Sequence, residues 1–291
     1  MVLIMKYVII TPVKNEEVYI RYTLDSVVAQ TIKPAQWIIV DDGSTDDTSK
    51  IIQEFVERYP WIKQITLPVE GSRELGARVV RVFYEGFKLL EGDYNFIVKL
   101  DSDLSFDPNY FERLLRKFVE DSRLGIAGGG FYIPVGNQWR LENVPVDHVR
   151  GATKVYRKTC FDEIGGLPLV NGWDSIDEWR AQIKGWKTRS YNELIVHHLR
   201  PTGASFGKWG GSVKAGDYAF FMGYPWPVIL ARSLYRAFSD RPILVRGTGI
   251  FWGYLRSWLA RKPRFDDAEV IAYIRRKQMR RILFFWHSES R

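Results

Sequence analysis

The 291-residue chain holds one cysteine, Cys160. No disulfide can form within it, and such usage fits a reducing compartment. It lacks the run of roughly 18 uncharged apolar residues that a membrane-spanning helix needs. The nearest stretches, FFMGYPWPVILA and GIFWGYLRSWLA, are broken by prolines and by Arg256. The opening MVLIMKYVII has no basic lead and no small-residue cleavage site, and it runs straight into TPVKNEE, so it reads as a first strand and not as a secretory signal. Internal repeats and low-complexity segments are also missing. GASFGKW departs from a phosphate-cradling loop in its spacing and in Trp209, and the glycines of GTGIFWG sit in the wrong context for a dinucleotide turn. What remains is ordinary globular composition, 46% hydrophobic and 26% charged, long enough for one large domain or a domain with an appendage.

Charge is unevenly placed. The net charge is +8, yet from Arg200 onward 17 Lys/Arg face 6 Asp/Glu, while the first 199 residues carry 25 Lys/Arg and 28 Asp/Glu. A basic end of this kind points to a polyanion: phosphate groups, nucleic acid or an anionic membrane face.

The first hundred residues alternate in period. YVIITPV, QWIIVDD, KQITLPV and YNFIVKL read as strands. Between and after them, apolar residues recur at helical spacing: Ile20, Leu24, Val27 and Val28; then Ile51, Ile52, Phe55, Val56 and Tyr59; then Leu75, Val79, Val82, Phe83 and Leu90; then Phe111, Leu114, Leu115 and Phe118. Ser44 and Asp47 are placed to form a capping box for the second helix. Strands alternating with helices through short connections predict an α/β fold with parallel strands and right-handed crossovers. Farther on, IAGGGFYIPV, VRGATKVYRK and TRSYNELIVHH read as strands, GWDSIDEWRAQIKGW as an acidic loop entering a helix, and RPTGASFGKWGGSVKAG as a mobile loop. Beyond it the pattern is helical, aromatic and basic.

Ligands of such sheets bind beyond the carboxyl ends of the strands. Here those ends read TPVKNEE, VDDGSTDD and KLDSD, which gather Lys14, Asn15, Glu16, Asp41, Asp42, Asp101 and Asp103. Ser44 alone would satisfy a helix cap, which leaves Asp41 and Asp42 to accept from a base imide or a ribose hydroxyl. Asp101 and Asp103 repel each other, so they form either a solvated turn or the two carboxylates of a divalent-cation site completed by substrate phosphates.

The set TPVKNEE, VDDGSTDD, ELGARVVR and KLDSD, over roughly Lys6 to Leu199, resembles a family 2 glycosyltransferase of the GT-A fold. The resemblance implies a Rossmann-like, mostly parallel sheet flanked by helices, a nucleotide-diphospho-sugar donor, Mn2+ or Mg2+, and transfer with inversion. Carried over by position, it puts Pro12, Val13, Glu16 and Asp42 at the base and ribose. Arg78, and less directly Arg73, fall near the base or phosphates. Asp101 and Ser102 lie at the ribose or metal, and Asp103 on the metal. A histidine completing the metal shell would be His197 or His198, of which at most one faces the site because successive strand residues alternate. The catalytic base falls in GWDSIDEW, where Asp174 holds the family position and Asp177 lies close behind. Glu178 is read as a residue favouring the helix dipole. Arg200 and Lys208 are placed to close over the diphosphate. Trp139, Glu142 and His148 lie on the acceptor side, where framework packing explains them equally well.

In VIAYIRRKQMRRILFFW, Ile271, Ile274 and Ile282 share a face among basic residues, and Trp226, Trp252, Trp258 and Trp286 add amphipathic rings. This predicts a helical extension lying in a membrane interface. The expected organisation is a catalytic domain over 1–212, with a nucleotide half to about 105 and an acceptor half beyond it, then an extension over 213–291. The expected function is metal-dependent, inverting transfer from a nucleotide sugar, UDP favoured with GDP and dTDP open, to a glycan or lipid-linked acceptor. Its place is cytoplasmic and peripheral on the cytoplasmic face of a membrane, with no nucleic-acid partner. Two rivals are a nucleotidyltransferase acting on sugar phosphates and a non-catalytic sugar- or lipid-binding protein.

Overall fold

The computed structural model describes residues 5–68, 77–142, 144–200, 207–239 and 242–288, with side chains to residue 280. Arg73, Leu75 and residues 201–206 lie outside them, as do the side chains of Ile282 and Trp286. The chain divides into two compact units, Met1–Pro201 and Thr202–Arg291. The boundary expected at 212 falls inside a helix of the second unit.

The first unit runs β1 (Tyr7–Val13), α1 (Ile20–Val28), β2 (Gln36–Asp41), α2 (Thr48–Val56), β3 (Ile62–Thr66), α3 (Ala77–Phe87), β4 (Phe96–Leu100), β5 (Leu104–Phe106), α4 (Tyr110–Glu120), β6 (Leu124–Val135), β7 (Gln138–Leu141), β8 (Thr153–Arg157), α5 (Lys158–Glu163), α6 (Trp173–Ile183) and β9 (Lys187–His198). The strands form one mixed sheet in the order β3-β2-β1-β4-β8-β6-β9-β5, with β7 on β6. The first four neighbours are parallel. Both faces are buried, which is why β1 reads as a continuous apolar run. Tyr7 and Ile9 pack under α1 and α4 with Leu24 and Phe111, while Val8 and Ile10 pack on the other face with Phe83 of α3.

Strand order reverses between β1 and β4, so a crevice opens beyond their carboxyl ends, where the acidic residues lie. The stretch DSDLSFDP contains the short strand β5, which pairs with β9 at the far side of the sheet. Four residue steps from Leu100 to Leu104 reach at most about 14 Å. Four strand spacings in a flat sheet would cover about 19 Å. The second half of the sheet therefore curls back, and His198 is brought opposite Leu104. Gly129 permits tight packing inside this curl, since a Cβ there would meet the Leu194 carbonyl at 2.2 Å.

The expected capping box does not form. Asp47 is the N-cap of α2 but makes no side-chain cap bond, and the Ser44 hydroxyl instead accepts from the Asn15 amide at 3.0 Å. Asn15, at φ 53°, takes the left-handed turn that asparagine tolerates, and its Oδ1 accepts from the Thr45 amide at 2.8 Å. The ends of β1 and β2 are thus tied to each other and not to a helix cap.

The second unit comprises α7 (Gly207–Phe221), α8 (Trp226–Ser239), α9 (Val245–Leu259) and α10 (Ala268–Ser288). The glycines of GKWGGSVKAG, expected to loosen a loop, lie within α7. Gly216 serves close approach, since a Cβ on it would meet the Ile250 carbonyl at 2.1 Å, and Gly253 of the facing helix matches it, since one there would meet the Val213 carbonyl at 2.0 Å. In α10, Val270 and Ile274 are buried, and the Arg275 guanidinium donates to the Gly223 carbonyl at 3.1 Å. Of the stripe expected to meet a membrane, Ile274 is buried and Ile271 half-buried within this unit, while the side chain of Ile282 lies outside the described residues.

Cys160 is fully buried, and burial pushes its thiol up to about 12. It is expected to ignore a disulfide-exchange reagent such as DTNB in the native protein and to react stoichiometrically in denaturant; rapid labelling of the native chain would contradict the packing.

Candidate active site

Each strand end supplies a carboxylate that meets a cation. Asp42, just past β2, accepts from Arg78 Nε at 2.5 Å and Nη2 at 2.6 Å, with Lys14 Nζ 3.9 Å away. Its own amide donates to the Val13 carbonyl at 2.8 Å, which fixes Asp42 beside the end of β1. Pro12 and Val13 are buried there. Asp41 turns the other way: Oδ1 accepts from the Ser44 amide at 2.8 Å, while Oδ2 is buried without a partner.

At the end of β4, Asp101 accepts from Lys99, a buried lysine of its own strand, which also donates to the Gly151 carbonyl at 2.9 Å. Asp101 is a third exposed yet closely surrounded, and burial pushes its carboxyl up, as does the neighbouring Asp103. Ser102 is buried between them. Burial would also raise Asp103, but its bond to His198 Nε2 at 3.2 Å and the charge of Arg200 outweigh this, and its pKa falls. Arg200 Nη2 bridges Asp103 Oδ2 at 3.2 Å and Glu16 Oε1 at 2.8 Å. Glu16 is buried, accepts through its backbone carbonyl at the start of α1, and is raised to about 7 by burial, with Asp103 and Asp101 adding to the effect.

The two histidines separate as alternation requires. His198 lies by Asp103 with its ring edge-on to Phe131, and its Nδ1 is buried without a partner. His197 packs instead against Trp139, ring centroids 4.6 Å apart, and against Tyr132. Among the described residues no three His, Cys, Asp or Glu are placed to cage a metal. Asp101, Asp103 and His198 still offer the hard oxygen and imidazole donors that suit Mn2+ or Mg2+ once substrate phosphates complete the shell. The residues fit such an ion.

Gly151 links this rim to α6. A Cβ on it would stand 2.9 Å from Asp174 Cβ, so only glycine lets the Lys99-bound backbone lie against Asp174. Asp174, in the first turn of α6, is partly exposed. Asp177, one turn on, is fully buried: Lys154 Nζ stands 2.9 Å from Oδ1, and the Tyr156 hydroxyl donates to Oδ2. Burial raises Asp177 to about 6 despite the lysine. Burial alone would strip the proton from Lys154, but Asp177, Glu178 and Asp174 hold it above its ordinary value. Glu178 completes the cluster, accepting from the Val149 amide at 2.7 Å and meeting His148 Nδ1 at 2.9 Å. The Trp173 ring lies beneath both lysines, 5.3 Å from Lys99 and 5.6 Å from Lys154.

The sequence profile of the family described as Glycosyl transferase family 2 matches residues 8–168, more than half of the chain. The chain belongs to glycosyl transferase family 2. It is 34% identical over 130 residues to glycosyltransferase GlyA of Streptococcus pneumoniae serotype 4, a match covering 44% of this chain and 17% of that protein. It is 32% identical over 122 residues to the minor teichoic acid biosynthesis protein GgaA of Bacillus subtilis strain 168, covering 41% and 26%. The alignments thus span about a quarter or less of these relatives' lengths. Among solved structures, a mannosyltransferase of Pyrobaculum calidifontis, PcManGT in complex with GDP-Man and Mn2+, superposes with a TM-score of 0.57 at 13% identity, covering 88% and 73%. TarS 1-349 of S. aureus in complex with UDP-GlcNAc gives 0.52 at 17% identity, also over 88% and 73%. The fold is that of the GT-A glycosyltransferases.

In this family 2 chain the residues singled out from sequence fall into two groups. Pro12, Val13, Glu16, Asp42, Arg78, Asp101, Ser102, Asp103 and His198 lie at the crevice beyond β1, β2 and β4. His197 is turned away from Asp103, and Asp177 is sealed below Asp174. The sequence reading missed Lys99 and Lys154. Their signal was a lysine inside an otherwise apolar strand, which is rarely buried unless paired.

Two outcomes follow from these charges. Glu16 binds its extra proton in the folded state between about pH 4.5 and 7, so its contribution to stability is complete at the acid end and lost as pH rises through 7. Glu16→Gln is expected to flatten the fall in Tm from pH 5 to pH 8 in metal-free protein (about the window of that shift); an unchanged slope would contradict the raised pKa. Lys154→Met strands two buried carboxylates and should cost about 3–5 kcal/mol in urea unfolding, whereas Asp174→Asn should leave the midpoint unmoved.

Proposed function

We propose that the chain transfers a sugar from a nucleotide-diphospho-sugar, a UDP-sugar favoured over GDP- and dTDP-sugars, to a hydroxyl of a glycan or lipid-linked acceptor with inversion at the anomeric carbon. The observation that carries this is the unbroken path from Asp103 and Asp101 through Lys99 and Gly151 to Asp174. It joins a donor-binding rim to a solvent-reaching carboxylate. The UDP-GlcNAc and GDP-Man held by the two structural neighbours, and the teichoic acid role in the name of GgaA, support donor and acceptor classes of this kind.

In this reading Asp42 and Arg78, beside Pro12 and Val13, receive the base and ribose. Asp103, with Asp101 and His198, holds Mn2+ or Mg2+, which when bound neutralises charge on the departing diphosphate. Arg200 exchanges its carboxylate partners for phosphate oxygens, a charge-assisted pairing that guanidinium geometry suits. Asp174 accepts the proton of the acceptor hydroxyl as that oxygen bonds to the anomeric carbon, and the bond from that carbon to the diphosphate breaks on the opposite face. Asp177 cannot serve, because Lys154 and Tyr156 engage both its oxygens and no solvent reaches it. It positions the first turn of α6. The working place is the cytoplasmic face of an anionic membrane, where lipid-linked acceptors reside.

A thermal-shift screen with Mn2+ and UDP-, GDP- and dTDP-sugars tests the donor site, since a ligand of the native state raises Tm by mass action. A metal-dependent rise with one diphosphate class is expected, and Asp103→Ala should abolish it in a chain that still unfolds cooperatively. No rise with any of them would overturn the reading. Asp174→Asn should keep the shift and lose about 100-fold or more in transfer rate. Release of pyrophosphate in place of nucleoside diphosphate would favour the nucleotidyltransferase.

A further inference from the structure

In α8, Ile229, Ser233 and Ala237 face inward and are buried. The adjacent stripe, Trp226, Leu230, Leu234 and Phe238, recurs every fourth residue and is 68%, 40%, 54% and 71% exposed. A helix that hides one stripe and leaves an equally apolar one in water is unusual, because contiguous apolar patches of this size mark an interaction surface. α9 continues it. Phe251, Trp252 and Trp258 are each more than 40% exposed. Two clefts of about 580 and 510 Å³ lie between α8 and α9 and share Leu230 and Phe251, so they form one apolar trough. Trp209 and Trp252 line one end, and Trp226 and Trp258 the other.

The charge around the trough identifies its occupant. From Trp226 to Arg264 there are eight Lys/Arg and one acidic residue, Asp240, and neither helix contains an Asp or Glu. Arg232, Arg246 and Arg261 are exposed, and Arg264 lines the second cleft with its guanidinium 4.8 Å from the Phe220 ring. A second copy of this chain presenting the same face would set arginine rows against arginine rows. An anionic lipid surface reverses that sign, and its hydrocarbon accepts the rings. Tryptophan, with an apolar body and a polar N–H, together with arginine is the composition favoured at a bilayer boundary. No helix among the described residues is long and apolar enough to cross a membrane.

We infer that the α8–α9 face, rather than α10, is the docking surface of this protein for an anionic phospholipid bilayer, with Phe238, Trp226, Trp252 and Trp258 entering the interface. It gives the lipid-linked acceptor reading a physical basis and rests on that reading for its purpose, though not for its test.

The test is co-sedimentation of the full chain with vesicles of phosphatidylcholine and phosphatidylglycerol, and with phosphatidylcholine alone. Binding to the anionic vesicles only, weakened by high salt, is expected. Phe238→Gln and Trp252→Gln replace exposed rings and should preserve Tm, yet each should weaken binding about tenfold or more. Folded protein that fails to bind anionic vesicles, or variants that bind as well as the parent, would overturn the inference. So would a dimer in solution that these substitutions dissociate. The nucleotide-sugar thermal shift on the same samples separates the two readings: a retained shift with no vesicle binding sinks only the surface, and vesicle binding with no shift sinks only the donor site.

Discussion

The buried ammonium of Lys154 is the interaction on which the catalytic unit turns. It stands 2.9 Å from both Asp177 and Glu178, and all three are buried. Removing such charges from water costs several kcal/mol per ion, and attraction in the interior offsets this only when the remaining hydrogen-bonding positions are filled. Here they are filled by Tyr156 of β8, by the Val149 amide and by His148. The cluster therefore has one geometry, and it locks α6 to β8 and to the segment before it. Asp174 sits one turn above, so its place over Gly151 is a consequence of charges buried beneath it.

The crevice follows the same rule of matched charge. Four carboxylates converge where strand order reverses, and each would raise the cost of the others. Side-chain cations meet them: Arg78 at Asp42, Lys99 at Asp101, and Arg200 at both Asp103 and Glu16. The repulsion within Asp101-Ser102-Asp103 is thus offset from below by a lysine of the same strand and from above by an arginine beyond β9. Lys99 is buried and fixed, whereas Arg200 is half exposed and can trade partners. That contrast suits a site in which an arriving anion and its cation replace part of the resident charge.

The helical unit is built on a different principle. Gly216 and Gly253 allow α7 and α9 to approach to backbone contact, while large apolar side chains of α8 and α9 stay exposed along the trough between them.

The sequence by itself determined the parallel α/β half, the four leading strands, and the acidic strand ends, because period-2 and period-3.6 patterns with both faces buried have few alternative solutions. It also determined the composition of the site down to Asp42, Asp101 and Asp103. Only the tertiary structure decided which of two neighbours faces the acidic strand ends and which is packed elsewhere. His198 and His197 differ by the pleat of β9, and the curl of the sheet brings β5 and His198 together across more than ninety residues, a relation local pattern does not carry. Asp174 and Asp177 differ by one helical turn and by a buried lysine donated from another strand. In the helical unit, the sequence showed an apolar stripe only in α10; which stripe is packed and which meets solvent depends on where neighbouring helices lie, and that is long-range information.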